Sequence, residues 1–380
     1  MDQPIASMPA LIARNAQSHG NRTILRIKHR GIWKTVTWAQ LASRVAQIGA
    51  ALLAAGLGHG DVAAILAETS PEAVYADLAI QGCGAASVAI DPDGDADRVC
   101  HVLSSSGSRM AFVENEEQLD KVLAVRDRCP ALSRIVVFDM KGLRDFADAS
   151  CTGFSAFIEA GEAVAWTDSV RTLAADTPAV IQFPRGQDFG LARTLTHGDI
   201  VHMTGVARAR LPLRDTDNRL VVLRLSDITE RVWGLYLALE TRCVSNYPEG
   251  PDTVLENLRE LQPTVLGADP AIWNHLRTLA ATRAKGATAA QHRAYSWAMA
   301  AGRIDGASAR LADLLVLRAV RREFGLSRLR IAYVGGAPVD PQALDWSKSL
   351  GIAVQRVDEI APGSAEPDER YRTLMQDAYA

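Results

Sequence analysis

Glycine and arginine meet in one short stretch of the chain, Phe183 to Ala192, where Arg185, Gly186 and Gly190 flank Asp188. Gly186 and Gly190 offer backbone flexibility and Arg185 one cation, and by themselves these residues read as a plain surface loop. Asp188 would work against any anion held there. Two like charges about 4 Å apart repel by roughly 1 kcal/mol in water and by about 4 kcal/mol in a partly buried site. Other reactive side chains do not gather. The five cysteines (Cys83, Cys100, Cys129, Cys151 and Cys243) contain no Cys-x-x-Cys pair. The eight histidines do not cluster, and His197 and His202 stand five apart, a poor spacing for one helix face. No metal site is expected, and the cysteines read as reduced thiols of a cytoplasmic protein.

With 380 residues, 48% hydrophobic and 22% charged, the chain can bury a large core without disulfides or metal. A net charge of −3 gives the whole molecule no general attraction to nucleic acid or to an anionic membrane. Met1 to Gly20 lacks a charged segment followed by an apolar run, so no secretory signal is expected. No stretch of 18 apolar residues occurs, which argues against a membrane span.

The elements that would position any site alternate between short apolar runs and longer helical ones. Asp61–Leu66, Ala86–Ile90, Arg109–Val113 and Arg134–Phe138 read as strands, with Pro71–Gly82 as a helix among them. A helix from Trp38 to Gly56 starts on a capping box, Thr37 with Gln40. Farther along, Ala179–Phe183, Leu220–Leu223, Cys243–Tyr247, Thr264–Gly267 and Leu329–Val334 read as strands. Helices fall near 198–209, 229–240, 252–262 and 270–284, followed by an all-helical insert near 289–323. This alternation predicts an α/β fold of mostly parallel sheets flanked by helices. Thr167–Pro178 reads as a boundary between a first α/β subdomain (1–175) and a second (176–360), with a polar tail at 361–380. The segment Ala307–Phe324 sets Leu311, Leu314, Leu315, Val316 and Leu317 beside Arg310, Arg318, Arg321 and Arg322; it reads as a core helix with a solvated rim or as a basic helix for a membrane surface, the former preferred.

Several strings resemble the long-chain branch of the AMP-forming acyl-CoA synthetases, from residue 8 to about 356. Pro9-Ala-Leu-Ile-Ala-Arg-Asn-Ala, Gly31-Ile-Trp-Lys with Thr37-Trp, and Glu117-Gln-Leu-Asp-Lys-Val-Leu with Cys129-Pro-Ala-Leu are similar to its first half. Tyr247-Pro-Glu-Gly-Pro-Asp-Thr-Val-Leu-Glu-Asn-Leu-Arg-Glu with Gln262-Pro-Thr is the most specific match, and Gly335-Gly-Ala-Pro and Ser349-Leu-Gly-Ile resemble the last core segment. The resemblance implies two large α/β subdomains with the site in the crevice between them. It also implies ATP, magnesium and CoA as the family's cofactors and a fatty acid as its substrate.

The family's phosphate loop, Thr-Ser-Gly-Thr-Thr-Gly-x-Pro-Lys-Gly, precedes a Leu-Thr-His string that survives here as Leu195-Thr196-His197. Counted back without gaps, the loop falls on Phe183–Ala192. No position matches, Leu191 stands at the lysine and Asp188 at a glycine. Arg185, Gly186, Gly190 and Thr196 are the remnants that the resemblance assigns to phosphate. The second motif, Leu-Pro-Leu-Ser-His-Ile-x-Glu-Arg, reads Leu223-Arg-Leu-Ser-Asp-Ile-Thr-Glu-Arg231, with Arg224 for the proline and Asp227 for the histidine that shapes the carboxylate site. Glu230 and Arg231 read as a structural ion pair. The third motif, an aromatic-Gly-x-Thr-Glu turn, lands on Asp358-Glu-Ile-Ala-Pro362 without a match, leaving Glu359 as a displaced metal ligand at best. Gly335, Gly336 and Ala337 resemble the wall of the acyl tunnel, or else a tight packing contact. The family's ribose-binding aspartate, hinge and C-terminal-domain lysine would lie past Ala380.

These readings favour a catalytically impaired relative that binds an acyl group (fatty acid or acyl-CoA) or a protein partner, including a second copy of itself. The alternative is an active adenylating ligase with unusual site residues, completed by a partner chain.

Overall fold

The computed structural model describes residues 6–159, 163–184, 190, 192–303, 306–335 and 339–357. Fourteen strands build two sheets of seven. In chain order they are β1 (Thr23–His29), β2 (Ile32–Thr37), β3 (Val62–Leu66), β4 (Ala86–Ile90), β5 (Met110–Val113), β6 (Arg134–Val137) and β7 (Cys151–Gly153). They continue as β8 (Pro178–Gln182), β9 (Arg193–Thr196), β10 (Asn218–Leu220), β11 (Val244–Tyr247), β12 (Val265–Gly267), β13 (Ile331–Gly335) and β14 (Val354–Val357). Sheet I has the order β14-β13-β12-β10-β11-β1-β2 and sheet II the order β7-β6-β5-β3-β4-β8-β9. Each is parallel except for one antiparallel pair at an edge, β1 with β2 and β8 with β9.

The fold is thus the expected α/β arrangement of two mostly parallel sheets flanked by helices. The strands do not sort along the chain at 175/176, however. β1 and β2 lie in sheet I beside β11, more than 200 residues later, while β8 and β9 complete sheet II.

Alternation along the strands splits the core into layers. Ala63 and Ile65 of β3 face a shared core that includes Ile24, Leu25, Val265 and Tyr333 of sheet I. Val62, Ala64 and Leu66 face the opposite side, toward the helices Ala96–Ser106 and Glu116–Leu123. The outer face of sheet I packs on Pro270–Gly286, Pro341–Ser349 and the insert. Helix Pro71–Gly82 lies in the shared core and is buried on nearly every side. Ser70 caps it by accepting the Ala73 amide, and Pro71 fits its first turn.

Three local expectations change. Thr167–Pro178, read as a polar boundary stretch, is partly helical: helix Ala163–Thr172 covers its first half and drives Trp166 into the core. Trp166 donates to the Ala79 carbonyl at 3.1 Å and lies so close to Gly49 and Gly82 that a Cβ on either would overlap its ring. The strand expected at Leu220–Leu223 stops at Leu220, because the next residues leave sheet I for the crevice. In the insert, the core helix expected at Ala307–Phe324 buries Ala312, Leu317 and Phe324, but Leu311, Leu314 and Leu315 stay exposed.

Candidate functional site

Strand ends define the crevice. A cavity of about 580 Å³ opens beyond the C-terminal ends of β3 in sheet II and β10, β11 and β12 in sheet I. This is where open α/β folds bind ligands. One wall is apolar and comes from Val221, Leu223, Val254, Leu255 and Ile272. The rim is acidic, with Glu68, Glu114, Glu249, Asp252 and Asp269 against Arg224 and His275.

Local structure fixes several of these carboxylates. Asp269 caps helix Pro270–Gly286 by accepting the Ile272 amide at 2.9 Å. Glu114 accepts the Glu68 amide at 2.8 Å, and Glu249 accepts the amides of Arg30 and Gly31 in the β1–β2 turn. Burial pushes the Glu68 carboxyl above the usual range; Arg224 opposes this, and Glu114, Asp93 and Asp91 add to it.

The segment that leaves β10 crosses the crevice and is strapped to sheet II. Arg224 pairs with Asp91, with Asp93 at 2.7 Å and with Glu68 at 3.4 Å. The Leu225 amide donates to Thr69 Oγ1 at 2.7 Å, and Gln182 at the end of β8 donates to the Ser226 carbonyl at 2.8 Å. Asp227 is buried. Its carboxylate accepts the Thr229 amide at 2.9 Å, and its carbonyl accepts the Arg231 amide, so it shapes the turn into the next helix. Gly335 at the end of β13 packs against that turn, and a Cβ there would come within 2.4 Å of Thr229 Oγ1. Of the two readings of Gly335, tight packing is what the geometry displays.

Behind the strap lies a buried ionic network. Arg231 meets Asp77 at 2.5 Å, and Asp77 also accepts from Ser87, Gln81 and Tyr236. Arg219 meets Glu230 at 2.5 Å. Arg231 therefore pairs with Asp77, 154 residues away, and not with its neighbour Glu230. Burial raises the Glu230 carboxyl, while Arg219 pulls it back and Asp227 pushes it further up.

Two of the four phosphate-loop remnants, Gly190 and Thr196, are among the described residues. Gly190 sits beside Pro184, and Arg185 and Gly186 lie outside the described residues, as do Asp188, Leu191, Gly336, Ala337 and Glu359. Thr196 is fully buried as the N-cap of helix His197–Arg210, exchanging hydrogen bonds with Asp199. His197 is buried behind it, and desolvation lowers its pKa to about 4. Sequence reasoning missed Arg98, which donates to the Pro184 carbonyl at 2.6 Å and sits over the Phe183 ring. It also missed the acids around Arg224. The arginine itself was legible as a departure from the motif, but its partners are more than 130 residues distant.

The described residues do not fit a triphosphate. Arg224, the cation at the crevice, already serves three carboxylates, and acids dominate the rim. No group of three or more metal-ligating side chains occurs among the described residues, and no described helix is long and apolar enough to cross a membrane.

A model of the AMP-binding enzyme family matches residues 12–186 and 192–359. A long-chain-fatty-acid–CoA ligase of Xenopus laevis is 24% identical over all of the chain and 54% of its own length. A long-chain-fatty-acid–CoA ligase of Mycobacterium bovis is 27% identical over 85% of the chain and 55% of its own length. The chain spans about half the length of these curated relatives. Among solved structures, the adenylation domain of a carboxylate reductase from Mycobacterium chelonae matches 95% of the chain and 58% of that domain, with TM-score 0.74 and 17% identity. The N-terminal domain of FACL13 from Mycobacterium tuberculosis matches 93% of the chain and 75% of its own, with TM-score 0.66 and 17% identity. At such identity these two matches establish the shared fold.

Proposed function

The chain belongs to the AMP-binding enzyme family, and from that premise we propose that it is a non-catalytic member whose crevice holds an acyl chain and not a nucleotide. The observation that carries this reading is the Arg224 strap. At the position where the family's motif has proline, Arg224 ties the sheet I loop to Glu68, Asp91 and Asp93, so its charge is already spent on carboxylates and leaves an acidic rim. Asp227, at the histidine position, adds a buried acid that orders a turn. Asp188 and Leu191 remove the features that would hold phosphate.

The apolar wall needs no motif to accept an acyl chain, because burial of methylenes is non-directional. The rim sets the head group. Five carboxylates disfavour a free fatty acid, whose own carboxylate would face them, and favour a neutral acyl ester or amide.

Purified, folded protein is expected to give no ATP–pyrophosphate exchange above background with magnesium and a panel of fatty acids. Titration should show no saturable ATP binding at micromolar concentration, and a neutral acyl ester should bind more tightly than the matching acid at neutral pH. Exchange above background would overturn the reading and make the chain an adenylating ligase. Tighter binding of the acid than of the ester would overturn the assignment of the rim alone.

A further inference from the structure

The helical insert presents four large apolar side chains to solvent on elements that pack against one another. Leu311, Leu314 and Leu315 are 49%, 61% and 62% exposed, and Trp297 is 42% exposed. Trp297 lies on helix Ala289–Ala301, which packs against both Ala307–Ala312 and the turn Asp313–Leu317 that carry the leucines. The face is a product of backbone geometry. Asp313–Leu317 is a π-helical turn, so the buried residues Ala312 and Leu317 are five apart instead of three or four. The extra residue widens the outward arc and leaves Leu314 and Leu315 side by side upon it.

Charge surrounds this face. The insert, 289–323, holds six arginines (293, 303, 310, 318, 321 and 322) and three acids (305, 313 and 323), whereas the whole chain carries a net −3. Asp313 pairs with Arg318 and Arg321, and Glu323 pairs with Arg259 and Arg283. Arg293, Arg310 and Arg322 are exposed and pair with no carboxylate among the described residues. An exposed tryptophan, three protruding leucines and exposed arginines without a carboxylate partner among the described residues match the interfacial region of a bilayer, where apolar tips enter and cations meet lipid phosphates.

We propose that this face docks on an anionic lipid surface. The site is separate from the crevice. Helix Pro270–Gly286 starts at the cavity rim, and its 17 residues carry the chain about 25 Å away before the insert begins. None of Trp297, Leu311, Leu314 and Leu315 lines the cavity.

The test is co-sedimentation of the full chain with vesicles of phosphatidylcholine alone, and of phosphatidylcholine mixed with phosphatidylserine, at low ionic strength. Binding is expected to the mixed vesicles only and to weaken with salt. The double variants Leu314→Glu/Leu315→Glu and Arg310→Glu/Arg322→Glu should each weaken it on the order of 100-fold. All four side chains are exposed, so both variants should keep the wild-type melting temperature. Trp297 is the one exposed tryptophan of the described residues, and its emission should shift to the blue on mixed vesicles. Absence of wild-type binding, or equal binding by the variants, overturns the proposal. So does self-association in the absence of lipid that the leucine variant abolishes, which would assign the face to a second copy. Arginine-dependent retention on immobilised polyglutamate without vesicle binding would assign it to an acidic protein and overturn the proposal as well.

Discussion

Two π-helical turns in this protein use one backbone device for opposite ends. In the turn Glu230–Tyr236 every residue is buried, whereas in Asp313–Leu317 the centre is exposed. Five residues of α-helix span about 500°, which would set the first and last side chains some 140° apart. The wider π turn brings them nearer to one side. In the inner turn this aims Arg231 and Tyr236 together at Asp77, with Arg231 donating to the Tyr236 hydroxyl at 3.2 Å. In the outer turn it keeps Ala312 and Leu317 inside and pushes Leu314 and Leu315 out. The difference lies in what each turn packs against. Sheet I, sheet II and helix Pro71–Gly82 enclose the inner one, whereas the outer one has neighbours on one side only.

The largest effect is expected at the inner turn. Asp77→Ala leaves Arg231 buried without its carboxylate and should cost about 3–5 kcal/mol of unfolding free energy in urea titrations. Adding Arg231→Met to Asp77→Leu should recover much of that loss, since two apolar groups need no counter-charge. If Asp77→Ala behaves like a surface change, the inner turn is not the structural anchor described here.

The next effect concerns pH. Helix His197–Arg210 packs against the inner turn, and His197 at its start falls from the ordinary 6.5 to about 4 on burial. For this group the unfolded chain binds the proton first. Stability is therefore fully present above pH 6.5 and is lost as pH falls toward 4, by up to about 3 kcal/mol. Melting temperature measured through that window should slope for the wild type and flatten for His197→Gln. Equal slopes would show that other groups govern acid sensitivity near the inner turn.

The smallest stability effect is expected at the outer turn. Leu314→Glu/Leu315→Glu should change unfolding free energy by no more than about 0.5 kcal/mol. A larger loss would mean that these leucines are packed and that the two turns are alike after all.

Much of the fold was legible because it is local. Thr37 with Gln40, Ser70 before Pro71 and the apolar runs of β3, β4 and β5 mark their elements by caps and periodicity alone. The site was less legible. Loss of the phosphate-loop pattern at Asp188 and Leu191 could be read directly, and so could Arg224 and Asp227 as departures from a motif. That Val221–Leu223 would line a cavity could not, because an apolar run bound for a sheet and one bound for a crevice look alike in sequence.

The sequence by itself determined the alternation of strands and helices, the capped helix starts, the family resemblance and the damaged motifs, since each depends on neighbours within a few residues. Only the tertiary structure decided that β1 and β2 join β11, that Arg231 pairs with Asp77 instead of the adjacent Glu230, and that Arg224 closes the crevice against Asp91 and Asp93. It also decided which face of each π turn meets solvent. The strand and ion pairings depend on residues brought together from more than 100 positions apart, and a charge in the sequence does not indicate which distant partner will share its burial.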